Sequence, residues 1–436
     1  MVCMQDVVKV GLMGFGTVGT GVAKMLLSDD RPFLRGREFD IELTRIADLD
    51  ITTDRGINVP AGMLTTHVED ILNDREIGIV VELIGGYEPA RTFTLRAFER
   101  GKSVVTANKA LVARHGSELY RAAANAGVSY MFEAAVGGGI PIIRGITNGL
   151  NANHFESIHG ILNGTTNYIL TGMTRDGADY RDMLKKAQEL GYAEADPTSD
   201  VSGGDALNKI VILARLAFGA ALDVNSVFRE GIEDITIQDI RYARELGYDV
   251  KLLAIAKMHD DGRIEARVHP TLVPSGSVMA TVEDEFNAVE IYGDAVGREI
   301  FYGKGAGMMP TTSSVVSDLV DVASRIRTGA PSNVARILAD GNGPRLIDAD
   351  ELTMRYYLRF TVDDRPGVLA AIATVFADQN ISIETVIQKG EAGDSDVPLI
   401  IMTHEVREGD VRRAKERLEE LDSVRGTVRL IRVEDV

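Results

Sequence analysis

Residues Val7 to Leu12 form an apolar run that ends in Gly14-Phe15-Gly16-Thr17-Val18-Gly19, and a helical stretch, VGTGVAKMLLS, follows directly. A G-x-G-x-x-G placed between a buried strand and a helix constrains the fold more than any other stretch here. Its glycines let the backbone approach a pyrophosphate at the helix N-terminus; the alternative is a plain Gly-rich turn. Further strands are expected at 41–47 (IELTRIA), 78–84 (GIVVELI), 103–107 (SVVTA) and 129–134 (SYMFEA). Helical EPARTFTLRAFER and ALVARHGSELYRAAANA separate the later ones. Strands alternating with helices predict an α/β, doubly wound parallel sheet.

Ligands bind at the carboxyl ends of strands in such sheets. The second strand ends Ala47-Asp48-Leu49-Asp50. An acid there favours the free 2′-hydroxyl of NAD, although Asp48 also reads as the start of a turn. Leu83-Ile84-Gly85-Gly86 can pass close to the nicotinamide. Thr106-Ala107-Asn108-Lys109 sets an amine at the crevice, or merely begins the next helix. In Glu133-Ala134-Ala135-Val136-Gly137-Gly138-Gly139-Ile140-Pro141, three glycines free the backbone. Its carbonyls can converge on a hard cation, but physics alone favours a hinge.

From Asn151 the pattern changes. HFESIHGIL reads as a strand, NGTTNYILTGM as a helix start and YRDMLKKAQEL as an amphipathic helix stopped by Gly191. Then comes GYAEADPTSDVSGGDALNK (191–209), which runs into ALNKIVILARLAFGA, apolar on nearly every side. Such a helix is buried, so Lys209 enters the interior, with Asp205 one turn earlier and Glu194 and Asp200 in the preceding loop. A desolvated lysine steered by carboxylates is how an amine acid/base is placed near neutral pH; a solvated i,i+4 ion pair is the competing reading. Helical TIQDIRYARELG and strands KLLAIAKMHD, RIEARVHPTL, NAVEIYG and EIFYG follow, with a hairpin around Asp260-Asp261-Gly262. They predict an antiparallel or mixed sheet covered by helices on one face. The loop Lys304–Thr311, with Gly307, precedes the helix TTSSVVSDLVDVASRIR and either returns to the cofactor or is a tight turn. The seven histidines have no metal-ligand spacing.

Residues 329–351 read as a Gly/Pro/Asp-rich linker. After them MRYYLRFTV, LAAIATVFADQN, ISIETVIQ, DVPLIIMTH, VRRAKERLEEL and TVRLIRV give βαββαβ, a ferredoxin-like sandwich. It carries no nucleophile or base cluster, which suits a binding or regulatory module. Net charge is −18, from 47 basic and 65 acidic side chains, which opposes nucleic-acid and anionic-membrane binding. The chain shows neither a transmembrane run nor a signal peptide. The single Cys3 excludes an intramolecular disulfide and a cysteine metal cluster. These features point to the cytoplasm.

The pattern GYxExDPxxDxxGxDxxxK is met in full by Gly191 to Lys209. With TANK (106–109), NGTTNY (163–168), GxGAGxxPT (303–311) and GFGTVG, it makes residues 1 to about 330 resemble homoserine dehydrogenase; the remainder resembles an ACT domain, an amino-acid-sensing module. The resemblance implies a Rossmann NAD(P)-binding domain over 1–145, an α+β catalytic and dimerisation domain over 146–330, a linker over 331–351 and an ACT domain over 352–436. It implies reduction of L-aspartate 4-semialdehyde to L-homoserine by NADH or NADPH, within threonine, methionine and isoleucine biosynthesis. Lys209 is then the proton donor, Asp205 orients the substrate amine and Lys209, Glu194 and Asp200 bind substrate, and Lys109 sits beside substrate and cofactor as a catalytic residue that shares the proton work. Cofactor contacts fall to Gly14, Phe15, Gly16, Thr17, Val18, Gly19, Asp48, Ile84, Gly85, Thr106, Lys109 and Gly307. The resemblance also implies a monovalent cation, sodium or potassium, on Glu133 and the carbonyls of Val136, Gly138 and Ile140, against the hinge. Asp364, Pro366, Gly367, Val368 and Leu369 would hold an amino-acid effector, threonine being expected, in a homodimer or homotetramer. Members that use NADPH often carry an arginine where this chain has Ala47. Aspartate-semialdehyde dehydrogenase is rejected, because that chemistry needs a cysteine nucleophile and Cys3 precedes the first strand. A non-catalytic dinucleotide and amino-acid sensor would not need Lys209 and Asp205 on a buried helix.

Overall fold

The computed structural model describes residues 6–330, 343–389 and 396–436; residues 331–342 of the expected linker lie outside them. The chain opens β1 (Asp6–Met13), α1 (Thr17–Leu26), β2 (Phe39–Ala47), β3 (Leu64–Thr65), α2 (Glu69–Leu72), β4 (Ile77–Glu82), α3 (Ala90–Glu99), β5 (Ser103–Thr106), α4 (Lys109–Ala126), β6 (Tyr130–Met131) and α5 (Ile142–Arg144). It continues through β7 (Phe155–Ile161), α6 (Gly164–Asp176), α7 (Tyr180–Glu189), α8 (Thr198–Val201), α9 (Gly204–Phe218), β8 (Phe228–Arg229), α10 (Ile237–Glu245), β9 (Tyr248–Met258), β10 (Ile264–Pro274), β11 (Phe286–Gly293), β12 (Gly297–Lys304) and α11 (Met308–Thr328). Last come β13 (Thr353–Asp363), α12 (Val368–Asp378), β14 (Ile383–Gln388), β15 (Asp396–Thr403), β16 (Val406–Arg407), α13 (Glu408–Glu419) and β17 (Val424–Val433). By internal contacts these form two compact units: 1–164, 207–226 and 286–344 make one, and 165–206, 227–285 and 345–436 the other.

The first unit holds the expected parallel sheet, in the order β3-β2-β1-β4-β5-β6. Val10, Leu12, Ile41, Ile79, Val81 and Val105 are fully buried in its core, as continuous apolar runs require when helices cover both faces. The chain returns to this sheet much later. Val315, Leu319, Val322 and Ala323 of α11 join the same core, and a Cβ on Gly21 of α1 would meet Thr312 Oγ1 at 2.2 Å. The β7, β11 and β12 strands form an antiparallel ladder in this unit.

In the second unit β9 and β10 make the expected hairpin, in register from Ile264–Met258 to Pro274–Tyr248. The βαββαβ order also holds, with β17-β13-β15-β14 antiparallel and a core of Leu358, Phe360, Ile372, Phe376, Ile401 and Leu418. Two features differ from expectation. First, the last module is joined to the hairpin: β17 pairs in parallel with β10, Thr271 opposite Arg432 and Leu272 opposite Val433. Second, β10 is buried on both faces. Its Glu265-x-Arg267-x-His269-x-Thr271 alternation suits a solvated face, yet those side chains are covered. Arg267, 1 % exposed, donates to Glu265 at 3.0 Å and to Glu434 at 2.6 Å, and contacts His269 at 2.6 Å. Arg432 continues the network, with Glu408 at 2.8 Å and Glu230 at 2.7 Å. Burial and the two arginines push the His269 imidazole well below its usual range, so it sits there neutral. No described helix is long and apolar enough to cross a membrane.

Candidate active site

In the first unit, the glycine loop has the shape that its sequence calls for. Gly14 has φ +96°, and a Cβ there would lie 2.5 Å from Leu83 O; a Cβ on Gly19 would lie 2.1 Å from Gly14 O. Nothing stands within 4 Å of a Cβ on Gly16, which leaves the loop open in front of the first turn of α1, where Thr17 and Val18 lie. Free N–H groups there suit an anion. The loop therefore fits a dinucleotide pyrophosphate.

Asp48 follows β2 as expected, but its carboxylate serves the loop. Oδ2 accepts from Phe15 N at 2.5 Å and Oδ1 from Asp50 N at 2.8 Å. At the end of β4, Glu82 is 1 % exposed; it accepts from Thr106 Oγ1 at 2.7 Å and Ile84 N at 2.8 Å. Burial pushes its carboxyl up, against those hydrogen bonds. Thr106 is thus committed to Glu82, a residue that the strand pattern does not single out although an acid inside the apolar VVELI is itself a signal. Asn108 ties the same loops, donating to Gly86 O at 2.8 Å and accepting from Leu111 N at 3.1 Å as the cap of α4. Gly85 has φ +81° beside Ile84. Lys109 is the first residue of α4.

Lys209 lies in this unit and is 6 % exposed. Its Nζ donates to Leu162 O, just past β7, at 2.5 Å. The same helix is braced against α4: Arg215 donates to Val112 O at 3.2 Å and to Leu222 O at 2.5 Å. Helix α9 is therefore buried as expected, and its arginine satisfies backbone carbonyls there.

The Glu133–Pro141 stretch also belongs here. Glu133, 3 % exposed, accepts from Ile143 N at 2.8 Å and Arg144 N at 2.9 Å. Asp318 accepts from Glu133 N at 2.8 Å and Arg144 Nη2 at 2.7 Å. Burial, with Asp318 nearby, pushes Glu133 up to about 7. Gly138 O accepts from Ser314 Oγ at 2.6 Å and Ile140 O from Ile142 N at 2.8 Å. The three glycines serve close packing: a Cβ on Gly138 would lie 2.5 Å from Gly305 O, and one on Gly139 3.0 Å from Pro310. Gly307, φ +111°, starts α11 beyond that crossing. Glu133 and the carbonyls of Val136, Gly138 and Ile140 are an all-oxygen set that suits a hard cation, and an oxygen that accepts one hydrogen bond keeps a further lone pair. Among the described residues no group of three or more His, Cys, Asp or Glu is placed to hold a metal.

The second unit holds the other predicted residues. Thr165 Oγ1, at the start of α6, lies 2.6 Å from Tyr192 O and 3.3 Å from Asp200 Oδ2. The Tyr168 and Tyr192 rings are 4.9 Å apart, so NGTTNY and GYAEADP are packed together. Neither Thr165 nor Tyr192 was picked out from the sequence, where only their motif membership could mark them. Glu194 is exposed, and Asp205 is buried in the first turn of α9. In the βαββαβ module, Asp364, Pro366, Gly367, Val368 and Leu369 line a recess of about 350 Å³ with Gln388 and Leu399. Gly367 there has φ +94°.

A dinucleotide loop on a parallel sheet, with a buried amine on a helix braced against α4, fits the class of nicotinamide-dependent oxidoreductases. The comparisons specify which. Residues 14–133 match the homoserine dehydrogenase NAD-binding domain, 141–320 homoserine dehydrogenase and 356–423 the ACT domain. The chain is 45 % identical over 434 residues to homoserine dehydrogenase of Pseudomonas aeruginosa and 42 % identical over 434 to that of Synechocystis; each alignment covers 98 % of this chain and 99 % of the relative. A crystal structure of a homoserine dehydrogenase from Thiobacillus denitrificans superposes with TM-score 0.92 at 44 % identity, covering 99 % of this chain and 100 % of that one. The chain belongs to the homoserine dehydrogenase family and carries a C-terminal ACT domain.

Proposed function

We propose that this chain interconverts L-aspartate 4-semialdehyde and L-homoserine with NAD or NADP, and that Lys209 moves the proton. When bound, the reduced nicotinamide supplies hydride to the aldehyde carbon. Lys209 gives a proton to the carbonyl oxygen as it gains negative charge, and takes it back in the reverse direction. The observation that carries this reading is the amine's setting: it is buried, and one of its protons goes to the neutral Leu162 carbonyl. That contact orients the ammonium without neutralising it. Asp205 orients the amine and the substrate ammonium, Glu194 and Asp200 bind substrate, and Lys109 stands at the nucleotide side. Glu133 with the carbonyls of Val136, Gly138 and Ile140 holds sodium or potassium. The enzyme works as a homodimer or homotetramer in the cytoplasm, and L-threonine binds at the recess beside Gly367 to inhibit it.

Positioned acid/base groups contribute about 10²–10⁴ in rate. Lys209→Ala is accordingly expected to lower kcat by at least about a hundredfold, with nucleotide affinity unchanged. Near-normal turnover would make Lys209 structural and sink the mechanism. No activity in the parent with either nucleotide, in sodium or potassium, would favour the sensor reading. Threonine at millimolar levels that leaves both rate and melting temperature untouched would remove it as the effector.

A further inference from the structure

The end of β4 lies where a bound dinucleotide crosses from one half of the parallel sheet to the other. Strands β3 and β2 lie to one side of β1, and β4, β5 and β6 to the other. The switch point therefore falls between the carboxyl ends of β1 and β4. These two ends touch: Leu83 N donates to Met13 O at 2.8 Å. A pyrophosphate on the glycine loop, with its adenosine over β2, leaves the nicotinamide to the β4–β5 side. Glu82 is the last residue of β4 and is buried there. Its Oε1 accepts from Ile84 N and its Oε2 from Thr106 Oγ1, so it fastens the loops after β4 and β5 to each other. Thr106 Oγ1 itself accepts from Asn108 N at 2.9 Å, which directs its own proton at Glu82. A chain of donors that ends on a carboxyl group favours the ionised form. Among the described residues, however, no lysine, arginine or histidine forms an ion pair with Glu82. Its charge is met by dipoles alone, in a buried setting where a charge acts further than in water.

We propose that Glu82 serves hydride transfer electrostatically: its carboxylate stabilises the positive charge that the nicotinamide ring acquires as hydride leaves. The inference rests on the nicotinamide chemistry proposed above. In that step a C–H bond of the reduced ring breaks with its electron pair, and the pair forms the new C–H bond at the aldehyde carbon. The ring is left a cation, and the carbonyl oxygen takes its proton from Lys209. A fixed negative charge at the base of the crevice lowers the energy of the developing cation without having to reorganise. The same charge makes the chain hold oxidised nucleotide more tightly, relative to reduced, than a neutral residue would.

The test is calorimetric binding of NAD⁺ and NADH, and of NADP⁺ and NADPH, to the full chain and to Glu82→Gln. Glutamine keeps the shape and can still accept from Ile84 N, so the variant removes chiefly the charge. Glu82→Gln is expected to weaken the oxidised form roughly tenfold relative to the reduced form, and to leave binding of ADP-ribose, which lacks the ring, unchanged. Equal weakening of both forms makes Glu82 only a fastener of the two loops and overturns the proposal. An unchanged ratio of the two affinities also overturns it, and is the result expected of a protonated Glu82. A measurement on the parent alone carries the test if the glutamine variant does not fold. The parent is expected to bind the oxidised nucleotide roughly tenfold more tightly than its isostere with an uncharged benzamide ring, and equal affinities overturn the proposal. A parent that binds neither NAD nor NADP overturns the dinucleotide reading itself.

Discussion

Lys209 and Lys251 are both buried amines, and they differ in what the sequence says of them. Lys209 follows a run of carboxylates and glycines and enters an apolar helix, so its burial and its chemistry read off together. Lys251 sits in KLLAIAKMHD, where a polar residue on a strand reads as its solvent side, yet it is 4 % exposed. Its Nζ donates to Val282 O at 2.6 Å, and the amide of Asn167, from NGTTNY, donates to the same carbonyl at 3.1 Å. Asn167 therefore braces α6 against the loop at 282–284, a role that its motif membership does not disclose. Burial pushes Lys251 down to about 8, below the ordinary 10.5. Between those values the unfolded chain binds more protons than the folded one, so this group makes stability rise with pH across that window; below about 8 both forms are charged and the slope vanishes. Melting temperatures of Lys251→Met are expected to rise less with pH from about 8 to 10.5 than those of the parent. Parallel curves would show that Lys251 keeps its proton.

Glycine-rich elements show how far local pattern carries. The G-x-G-x-x-G loop is recognisable because its partners, β1 and α1, are its chain neighbours. The Gly137-Gly138-Gly139 stretch reads as a hinge because its partner, the Lys304–Pro310 segment, is far away in the chain and leaves no local trace. The two loops respond differently to a methyl group. Gly138→Ala, with φ +51° and Gly305 O 2.5 Å from the new Cβ, is expected to cost roughly 1–3 kcal/mol, read as a lower denaturant midpoint. Gly16→Ala meets nothing within 4 Å and is expected to shift stability by less than about 0.5 kcal/mol, while nucleotide binding measured by calorimetry is lost. Nucleotide affinity kept by Gly16→Ala would mean that the backbone need not come so close to the phosphates. Strand β10 shows the same limit: apolar alternation fixed it as a strand, but Arg267 and Glu265 gave no sign that their face is covered, because a key partner, Glu434 just past β17, comes from the far end of the chain.

Across the whole molecule, the parallel sheet of alternating strands and helices, the β9–β10 hairpin and the βαββαβ order of the last module were readable from hydrophobic period and turn residues. The β10–β17 seam was not, since it depends on edge pairing and a buried charge network between distant segments. That seam makes the final module part of the second unit's architecture. Cutting the chain after residue 351 removes Glu434 from Arg267 and Arg432 from Glu230, and it bares an edge of β10. Losing one partner of a buried ion pair costs about 3–5 kcal/mol. The shortened chain is therefore expected to melt well below the parent or to aggregate, measured by calorimetry and light scattering. An unchanged melting temperature would show residues 352–436 to be a dispensable appendage.

The same seam sets an order of events during synthesis. β17 is made after every other described strand, yet its Arg432 and Val433 close an edge of the earlier β9–β10 hairpin. Until they leave the ribosome, Thr271 and Leu272 remain an open template on which another nascent chain can pair. A premature stop in the last module thus delivers an unfinished half of the enzyme, and the cell meets it as a sticky edge to be cleared before it ever meets a missing sensor.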